Sequence, residues 1–412
     1  MCWTTSLVPS PRFEVARVSD FGPTSFETTP AAGEPQRNLR AWADIDLRAV
    51  VENVGRMREV APNADVMAVV KADAYGHGLI EVSRAARSGG AKWLGVALLQ
   101  EALDLRAAGD QGPLFAWLAT PGDQFAACVK ADIDLNVSAA WMLTEVVVAA
   151  KSLNKAARIH LKIDTGLGRG GSTPHEWSTL IKASAAAAAR GEVEIVGIWS
   201  HFAYADSPNH PTIARQLEAF EDAIEVARRL GVEPKLRHIA NSAATLTLPT
   251  AHYDLVRPGI AIYGISPGDQ VGTSRSLGLR PVMTLGARLV QVKRLPAGHG
   301  ISYGHEYVTD RETTVALVPV GYADGIDRSA TNAGPVLAAG RVRPIAGRVC
   351  MDQFVLDLGD DLAVAGDEVL LFGSGSRGEP SAADWARVCD TIPYEIVTRI
   401  GPRVQRVFRG GV

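Results

Sequence analysis

The sequence predicts an α/β chain in which a (β/α)8 barrel is followed by a mostly β C-terminal domain. Eight short runs of strand-favouring residues alternate with helical segments over the first two thirds of the chain. The first of these runs is apolar throughout residues 66–70, as strands buried on both faces of a parallel sheet are. From about residue 280 the sequence changes to short β-branched runs broken by Gly, Pro and Asp, which favours antiparallel strands.

The barrel elements follow from the apolar periodicity. The predicted strands are residues 65–71, 93–98, 114–119, 132–137, 158–164, 194–202, 236–240 and 253–259. The predicted helices are residues 78–87, 100–108, 139–152, 174–190 and 211–230. The same alternation allows an open doubly wound sheet, which is the alternative to a closed barrel.

The second domain is predicted from its short strands. These are residues 284–292, 313–319, 342–345, 353–357 and 368–372. An early strand at residues 43–47 can pair with either domain. We therefore expect a barrel over residues 41–280 and a β domain over residues 281–412. The first 40 residues carry five prolines among Ser, Thr and Glu, without sustained periodicity and without the apolar core of a secretory signal, so they predict a disordered tail.

Composition and charge narrow the class of protein. The 412 residues carry 42 Lys and Arg against 45 Asp and Glu, so the net charge is −3 with neutral His. Proteins that bind nucleic acid or anionic membranes usually have a basic excess, and no apolar run approaches the ~20 residues that span a bilayer. The four cysteines have no zinc-ligand spacing and are too few for a disulfide framework. We expect a cytoplasmic protein with no metal site, no nucleic-acid partner and no membrane partner.

Polar residues recur where the predicted barrel strands end, which is the edge at which barrel enzymes assemble their sites. They are Lys71 and Tyr75 after the first strand, Lys162, Asp164 and Arg169 around the end of the fifth, His201 at the sixth, Asn241 and Ser242 after the seventh, and Arg257, Gly259 and Ile260 at the eighth.

Each of these residues also has an ordinary structural role open to it. A strand-end lysine such as Lys71 commonly extends its amine to solvent. Asn241 and Ser242 form a common helix cap, His201 can be a hydrogen-bonded core histidine, and Arg257 can be an ion-pair partner. Their coincidence at one edge of one sheet favours a functional site instead.

The chemistry of that edge indicates a cofactor. A desolvated lysine has a lowered pKa and forms Schiff bases with aldehydes. Loops after the seventh and eighth strands, with a helix N-terminus, form the recurrent phosphate site of barrel enzymes. A Schiff-base lysine that faces a phosphate site predicts pyridoxal phosphate.

Nine motifs in sequential order resemble those of the bacterial alanine racemases. They are VVKADAYGHG, LKIDTGLGR, SHFAYAD, ANSAA, VRPGIAIYG, SYGH, PVGYADG, GRVCMDQ and TIPYE, between about residue 41 and about residue 406. The resemblance implies a fold-type III pyridoxal-phosphate enzyme. It also implies a homodimer with active sites shared between subunits, and interconversion of L-alanine and D-alanine by two bases to supply D-alanine for peptidoglycan.

The resemblance also implies the roles of single residues. Lys71 matches the lysine that binds the cofactor and acts as one base, and Tyr303 matches the opposing base from the partner subunit. Arg257 matches the arginine that donates to the pyridine nitrogen, and His201 the histidine behind the ring. The residues that match the rest of the cofactor site, mostly around the phosphate, are Tyr75, Asn241, Ser242, Gly259, Ile260 and Tyr394.

Three further residues match positions around the substrate. Arg169 corresponds to an arginine that interacts with the catalytic tyrosine and the substrate carboxylate. Met351 corresponds to a partner-chain residue that offers its backbone N–H to that carboxylate. Lys162 corresponds to a lysine that is often carbamylated in the family and then braces the arginine.

Two rival functions share parts of this pattern. Amino-acid decarboxylases on the same architecture place a carboxylate beside the ring nitrogen, where this chain has Arg257. Non-catalytic pyridoxal-phosphate carriers are single barrels and lack the second domain, which here contains Tyr303, Met351 and Tyr394. Alanine is the expected substrate, and serine is an alternative that would react more slowly.

Overall fold

The structure is a computed structural model that describes residues 39–411. The predicted tail, residues 1–40, lies outside this range except for its last two residues. Arg40 is described, and its guanidinium donates to the buried carboxylate of Asp324 at 2.7 Å. Within the described range, no helix is long and apolar enough to cross a membrane.

Strands and helices alternate through the first two thirds of the chain. The strands there are β1 (Ala41–Asp46), β2 (Asp65–Val69), β3 (Trp93–Leu98), β4 (Leu114–Leu118), β5 (Ile133–Val137), β6 (Ala157–Lys162), β7 (Val193–Trp199), β8 (Leu236–His238) and β9 (Leu255–Val256). The helices are α1 (Leu47–Val60), α2 (Lys71–Gly76), α3 (Leu79–Ser88), α4 (Leu99–Ala107), α5 (Phe125–Lys130), α6 (Ala140–Leu153), α7 (Pro174–Ala189), α8 (Thr212–Arg229) and α9 (Ser242–Thr247).

The remaining elements are mostly short strands. They are β10 (Met283–Arg288), β11 (Gln291–Leu295), β12 (Gly300–Ile301), β13 (Tyr307–Val308), β14 (Thr313–Val318), β15 (Pro335–Ala338), β16 (Arg341–Pro344), β17 (Phe354–Gly359), β18 (Glu368–Phe372) and β19 (Gln405–Arg409). Two helices, α10 (Ala382–Val388) and α11 (Pro393–Thr398), lie before β19.

Eight parallel strands form the predicted barrel. Their order is β8-β7-β6-β5-β4-β3-β2-β9. Two backbone hydrogen bonds join the ends of this sheet, because Asp254 N–H donates to Arg237 O at 3.2 Å and Arg257 N–H donates to Ala240 O at 2.9 Å. The prediction of a barrel is therefore confirmed, and the open doubly wound alternative is wrong.

Two layers of packing hold the barrel together. Helices cover its outer surface. The first of them, α1, is capped by Asp46, whose carboxylate accepts from the N–H groups of Arg48 and Ala49 at 3.0 and 3.2 Å. Inside the ring of strands lies a separate apolar cluster of Met67, Trp93, Phe115, Val196, Trp199 and Leu255. Because side chains alternate along a regular strand, every second residue of such a strand points into this interior. β7 contributes both Val196 and Trp199, because its pairing with β6 shifts register.

The β domain consists of β1 and β10–β19. One six-stranded sheet has the order β16-β15-β18-β10-β1-β19, and smaller sheets have the orders β11-β14-β17 and β12-β13. β1 is antiparallel to β10 and parallel to β19, so the early strand belongs to this domain and not to the barrel. The predicted strand at residues 284–292 is two strands, because Leu289 N–H bonds Asp367 O in one sheet and Val290 N–H bonds Leu317 O in the other.

The β domain also contacts the barrel at the loop after β2. The backbone of Gly76 lies so close to α11 that an added Cβ would be 2.6 Å from Val397 O. Arg406, in β19, donates its Nε–H to Gly76 O at 3.0 Å. The segment that follows the first barrel strand is thus held by two elements from the C-terminal part of the chain, α11 and β19.

Candidate active site

Lys71 follows the first barrel strand, but the strand ends at Val69 and not at Lys71 as predicted. The amine is partly buried, and its Nζ lies 6.0 Å from the centroid of the Trp117 ring. Burial lowers the pKa of Lys71, and the Arg169 cation lowers it further against the opposing effect of Glu101. A larger fraction of neutral amine results, which both nucleophilic attack and proton abstraction require.

The strand is shorter than predicted because α2, which is a left-handed turn and not a right-handed helix, begins at Lys71. The four residues from Ala72 to Tyr75 have φ between 52° and 55°. This conformation costs about 1–2 kcal/mol for each residue with a side chain. The Glu101 carboxylate stabilises the turn by accepting from Ala72 N–H at 2.6 Å, and Asp73 accepts from Leu79 N–H at 2.8 Å.

Lys162 ends β6, and Arg169 lies in the loop after it. The loop is shaped by Asp164, whose carboxylate accepts from the N–H groups of Gly166 and Leu167 at 2.9 and 3.0 Å. The Lys162 amine lies 4.3 Å from the Trp199 ring centroid. Burial, with the Arg257 and Arg169 cations, lowers the pKa of Lys162 to about 8.

Arg257 is a buried cation, 5% exposed. Its Nη1 lies 3.0 Å from His238 Nδ1, and its Nη2 lies 3.3 Å from His201 Nδ1. Nη2 also donates to Ser200 O at 2.8 Å and to Ile239 O at 3.3 Å. Burial lowers the pKa of Arg257 to about 9, which still leaves it charged at neutral pH. Among the described residues its hydrogen bonds use Nη1 and Nη2, so Nε–H remains as a donor to a ligand.

His201 lies beside this cation. Burial and the Arg257 charge hold the pKa of His201 well below its ordinary value, so the ring is neutral. The cations of Arg169, Lys162 and Lys71 act in the same direction. The structure thus gathers the predicted Lys71, Lys162, Arg169, His201 and Arg257 at one end of the barrel.

A second group of predicted residues surrounds Gly259. The Ser242 hydroxyl oxygen accepts from Gly259 N–H at 2.8 Å and from Ala261 N–H at 3.2 Å. A Cβ added to Gly259 would lie 2.4 Å from the Tyr75 hydroxyl. Ile260 is buried and begins the helical turn Ile260–Tyr263. Asn241 caps α9, because its side-chain oxygen accepts from Ala244 N–H at 3.1 Å.

Tyrosine rings complete this second group. The Tyr75 ring centroid lies 4.7 Å from that of Tyr263 and 6.3 Å from that of Tyr394 in α11. Burial raises the pKa values of Tyr75 and Tyr394 above the ordinary range, so both keep their hydroxyl protons. Two protonated hydroxyls beside Gly259 and Ser242 suit an anionic group.

Tyr303 and Met351 lie elsewhere on the chain. Their side chains are 72% and 53% exposed. The segments that carry them lie side by side, because the Ser302 hydroxyl donates to Arg348 O at 2.8 Å and lies 3.3 Å from Cys350 Sγ. Within the described range, neither residue contacts Lys71. A single chain therefore brings together every predicted site residue except these two.

Comparison with known proteins assigns this arrangement to a family. The family model described as alanine racemase, N-terminal domain, matches residues 45–267. The model described as alanine racemase, C-terminal domain, matches residues 282–408. The chain belongs to the alanine racemase family.

Relatives at high identity agree with this assignment. The alanine racemase of Frankia casuarinae is 57% identical over 92% of this chain and 100% of its own length. The alanine racemase structure from D-cycloserine producing Streptomyces lavendulae matches with a TM-score of 0.90 and 57% identity, over 90% of this chain and 98% of that one. An alanine racemase structure from Bacillus anthracis with bound L-Ala-P matches with a TM-score of 0.82 and 33% identity, over 90% of this chain and 95% of that one.

Several residues of this alanine racemase family member were missed from the sequence. Glu101 holds the turn after Lys71, Trp117 and Trp199 lie beside the two lysines, and His238 contacts Arg257. Trp117, Trp199 and His238 lie on barrel strands at positions that point inward. The period-two alternation was the signal for Trp117 and His238, which lie two residues after Phe115 and Leu236 of the inner cluster. It does not predict Trp199, because the pairing of β7 with β6 shifts register before that residue.

Proposed function

We propose that this chain interconverts L-alanine and D-alanine with pyridoxal phosphate bound to Lys71. The observation that carries the proposal is the partly buried Lys71, whose pKa is lowered, at the same end of the barrel as Arg257, the Ser242 hydroxyl and the Gly259 backbone N–H. The B. anthracis relative holds L-Ala-P, which supports a small amino-acid-like ligand in this family.

The residues present fit the cofactor. The absence of a Cβ on Gly259 lets the Tyr75 hydroxyl approach its backbone, and the Tyr75 and Tyr394 hydroxyls are donors that suit the phosphate. The Arg257 Nε–H is a donor for the pyridine nitrogen. Because the guanidinium remains charged at neutral pH, it gives no proton to that nitrogen. The bound cofactor supplies an electron-withdrawing ring that makes the Cα–H of the amino acid acidic.

Racemisation needs one base on each side of Cα. Lys71 holds or releases a proton at its Nζ on one side, helped by the effects that lower its pKa. Tyr303 holds or releases a proton at its hydroxyl on the other side. Arg169 is a cation at the same edge and suits the substrate carboxylate, with the backbone N–H of Met351 as a second donor.

The position of Tyr303 supports a homodimer with shared sites. A catalytic phenol that is 72% exposed, and without a described contact to Lys71, cannot complete the site of its own chain. Met351 lies on the same exposed surface, 53% exposed. We therefore propose that both residues act in the site of a partner subunit. We also propose that the reaction takes place in the cytoplasm and that its product, D-alanine, is used for peptidoglycan.

A racemisation assay tests the proposal. Purified protein with added pyridoxal phosphate should convert L-alanine into D-alanine, detected by a coupled D-amino-acid oxidase. The Lys71→Ala variant should be inactive in the same assay. Wild-type protein that binds the cofactor and forms no D-alanine would overturn the function, and release of carbon dioxide would indicate a decarboxylase instead.

The assignment of the two bases has its own test. Tyr303→Phe should abolish the exchange of the L-alanine Cα hydrogen with solvent far more than that of D-alanine, because Lys71 still serves one face. Tyr307→Phe is the matched control, since that phenol donates to Asp357 at 2.7 Å in the same domain. Equal loss of exchange from both enantiomers in Tyr303→Phe would contradict the assignment.

A further inference from the structure

A chain of buried polar groups runs through the barrel interior from Arg257 to the opposite end of the strands. Arg257 Nη1 lies 3.0 Å from His238 Nδ1, and His238 Nε2 lies 2.9 Å from His160 Nδ1. His160 Nε2 then lies 3.0 Å from Asp134 Oδ2. The exposed fractions of Asp134, His160 and His238 are 1%, 0% and 0%.

The chain ends at the surface through a second arginine. Arg158 donates to both oxygens of Asp134, from Nε at 2.6 Å and from Nη2 at 3.1 Å. Its Nη1 donates to Glu194 at 3.2 Å, and Lys235 also donates to Glu194 at 2.6 Å. Asp134 is therefore a buried acceptor surrounded by donors.

The chemistry of the end groups fixes the direction of every hydrogen bond. A guanidinium has only donors, so His238 must accept at Nδ1 and carry its proton on Nε2. His238 then donates to His160 Nδ1, which places the His160 proton on Nε2, where the ionised Asp134 accepts it. All three bonds run from Arg257 towards Asp134, and both imidazoles are neutral.

The surrounding backbone makes room for this chain. A Cβ added to Gly197 in β7 would lie 2.6 Å from His160 Nδ1, the atom that meets His238. The pairing of β6 with β7 also shifts register between Ile159 and His160. The His238 ring stacks on Trp199, with centroids 5.7 Å apart and an angle of 3° between planes.

We propose that Asp134 is a positioning residue that sets the tautomers of His160 and His238 and thereby holds Arg257 against the cofactor ring. This rests on the proposed function, in which Arg257 donates to the pyridine nitrogen. A chain that merely satisfied buried polar groups would contribute to folding alone. A positioning role and a purely structural role predict different results when one carboxylate oxygen of Asp134 is replaced by an amide nitrogen.

Asp134→Asn makes that change. Every neighbour of this side chain is a donor. In place of Oδ1 the new amide N–H2 would face Arg158 Nε at 2.6 Å, and in place of Oδ2 it would face Arg158 Nη2 at 3.1 Å and His160 Nε2 at 3.0 Å. The shorter contact disfavours the first orientation, and in the second only the contact with His160 can be relieved. Arg158 cannot change its protonation, whereas His160 can move its proton to Nδ1. That proton would bond to His238 Nε2 and place the His238 proton on Nδ1, facing the donor Nη1 of Arg257. The arginine would then be pushed from its position.

The test is ¹⁵N NMR of the holoenzyme with labelled histidine, with signals assigned by His→Gln variants. In the wild type both rings should be neutral with the proton on Nε2, and in Asp134→Asn both should carry it on Nδ1.

The visible absorption of the bound cofactor should also shift in the Asp134→Asn variant. Its kcat should fall roughly 10- to 100-fold, the size of the loss when a hydrogen-bond partner that orients a metal-binding ligand is removed, at an unchanged KM for alanine. Glu194→Gln is the control, and it should change none of these.

Two outcomes would overturn the proposal. The first is a proton on Nδ1 of His160 or His238 in the wild-type protein. The second is an Asp134→Asn variant that loses thermal stability but retains the wild-type tautomers, cofactor absorption and kcat. If Asp134→Asn does not fold, His160→Phe interrupts the same chain at its middle and should give the same absorption shift and kcat loss; wild-type values there would refute the proposal. Because tautomers are measured without turnover, failure of the racemase assay would not be confused with these outcomes.

Discussion

The Tyr75 hydroxyl and the Cα of Gly259 lie so close that a Cβ on Gly259 would be 2.4 Å from the hydroxyl oxygen. Tyr75 reaches this point because the left-handed turn after Lys71 directs it there. Gly259 has a φ of −107°, outside the left-handed region, and its lack of a side chain is what allows this close approach.

Gly259→Ala should weaken the binding of pyridoxal phosphate. The new methyl group must displace Tyr75 from the proposed phosphate site, and we expect the Kd to rise roughly tenfold or more, equivalent to about 1.4 kcal/mol. Titration of the apoenzyme with the cofactor, followed by absorbance, measures this. Gly55→Ala is the control, since nothing lies within 4 Å of its added Cβ in α1 and Kd should not change. Equal Kd values for both variants would argue against this site.

The fold was largely predictable because barrel strands carry a strong signal. All eight predicted runs overlap barrel strands, and the inner cluster around Phe115 is apolar. The boundaries were less predictable. Val70 continues the apolar pattern and Lys71 follows it directly, but both lie beyond the end of β2, at the start of a turn that Glu101 stabilises from the next unit of the barrel. The pairing of β1 with β10 joins segments more than 200 residues apart, which local periodicity cannot show.

The site was predictable in its parts and not in its connections. Lys71, Arg257 and Ser242 stood out because charged or polar residues at strand ends are unusual within apolar runs. His160 and Asp134 lie in mid-strand and resemble residues of a solvent-facing edge in the sequence alone. Their burial depends on the closure of the ring, so their link to Arg257 emerges only in three dimensions.

Mixing two inactive variants should restore activity if sites are shared between subunits. In a heterodimer of Lys71→Ala and Tyr303→Phe, one site has lost both bases and the other has both. Random reassociation of equal amounts gives half heterodimers, each with one of two sites, so about a quarter of wild-type activity is expected. The measurement is the racemisation rate after the variants are unfolded and refolded together.

The control for this experiment pairs Lys71→Ala with the double variant Lys71→Ala/Tyr303→Phe. No site in any of its dimers contains Lys71, so activity should stay absent. If the first mixture were equally inactive while each variant refolded and dimerised, Tyr303 would not act across an interface.

Lys162 should form a carbamate with carbon dioxide. The reaction joins the neutral amine nitrogen to the carbon of CO2 and releases one proton, and the product is an anion that suits the Arg169 cation. Because the pKa of Lys162 is lowered to about 8, half of the amine is neutral at that pH. An ordinary lysine would be less than about 1% neutral there. The carbamate population should therefore rise as pH increases through about 8.

The measurement for Lys162 is ¹³C NMR of protein in labelled bicarbonate. A carbamate signal should be present in the wild type and in Lys182→Ala, a control on the exposed face of α7. It should be lost in Lys162→Ala. A signal that survives this substitution, or no signal at any pH, would contradict the prediction.

His77 should make the stability of the protein sensitive to mild acid. The ring is fully buried between Ala74 and Tyr263, and burial lowers its pKa from 6.5 to about 4. Between these two values the unfolded chain binds a proton that the folded chain excludes, so the unfolding free energy falls as pH decreases from 6.5 towards 4. The pKa difference corresponds to about 3 kcal/mol.

Chemical denaturation of wild type and His77→Gln across this range should give a smaller decrease in unfolding free energy for the variant, because its side chain does not titrate. His175→Gln changes an exposed histidine and should keep the wild-type decrease. Identical pH dependence in His77→Gln and the wild type would mean that other groups account for the loss of stability in acid.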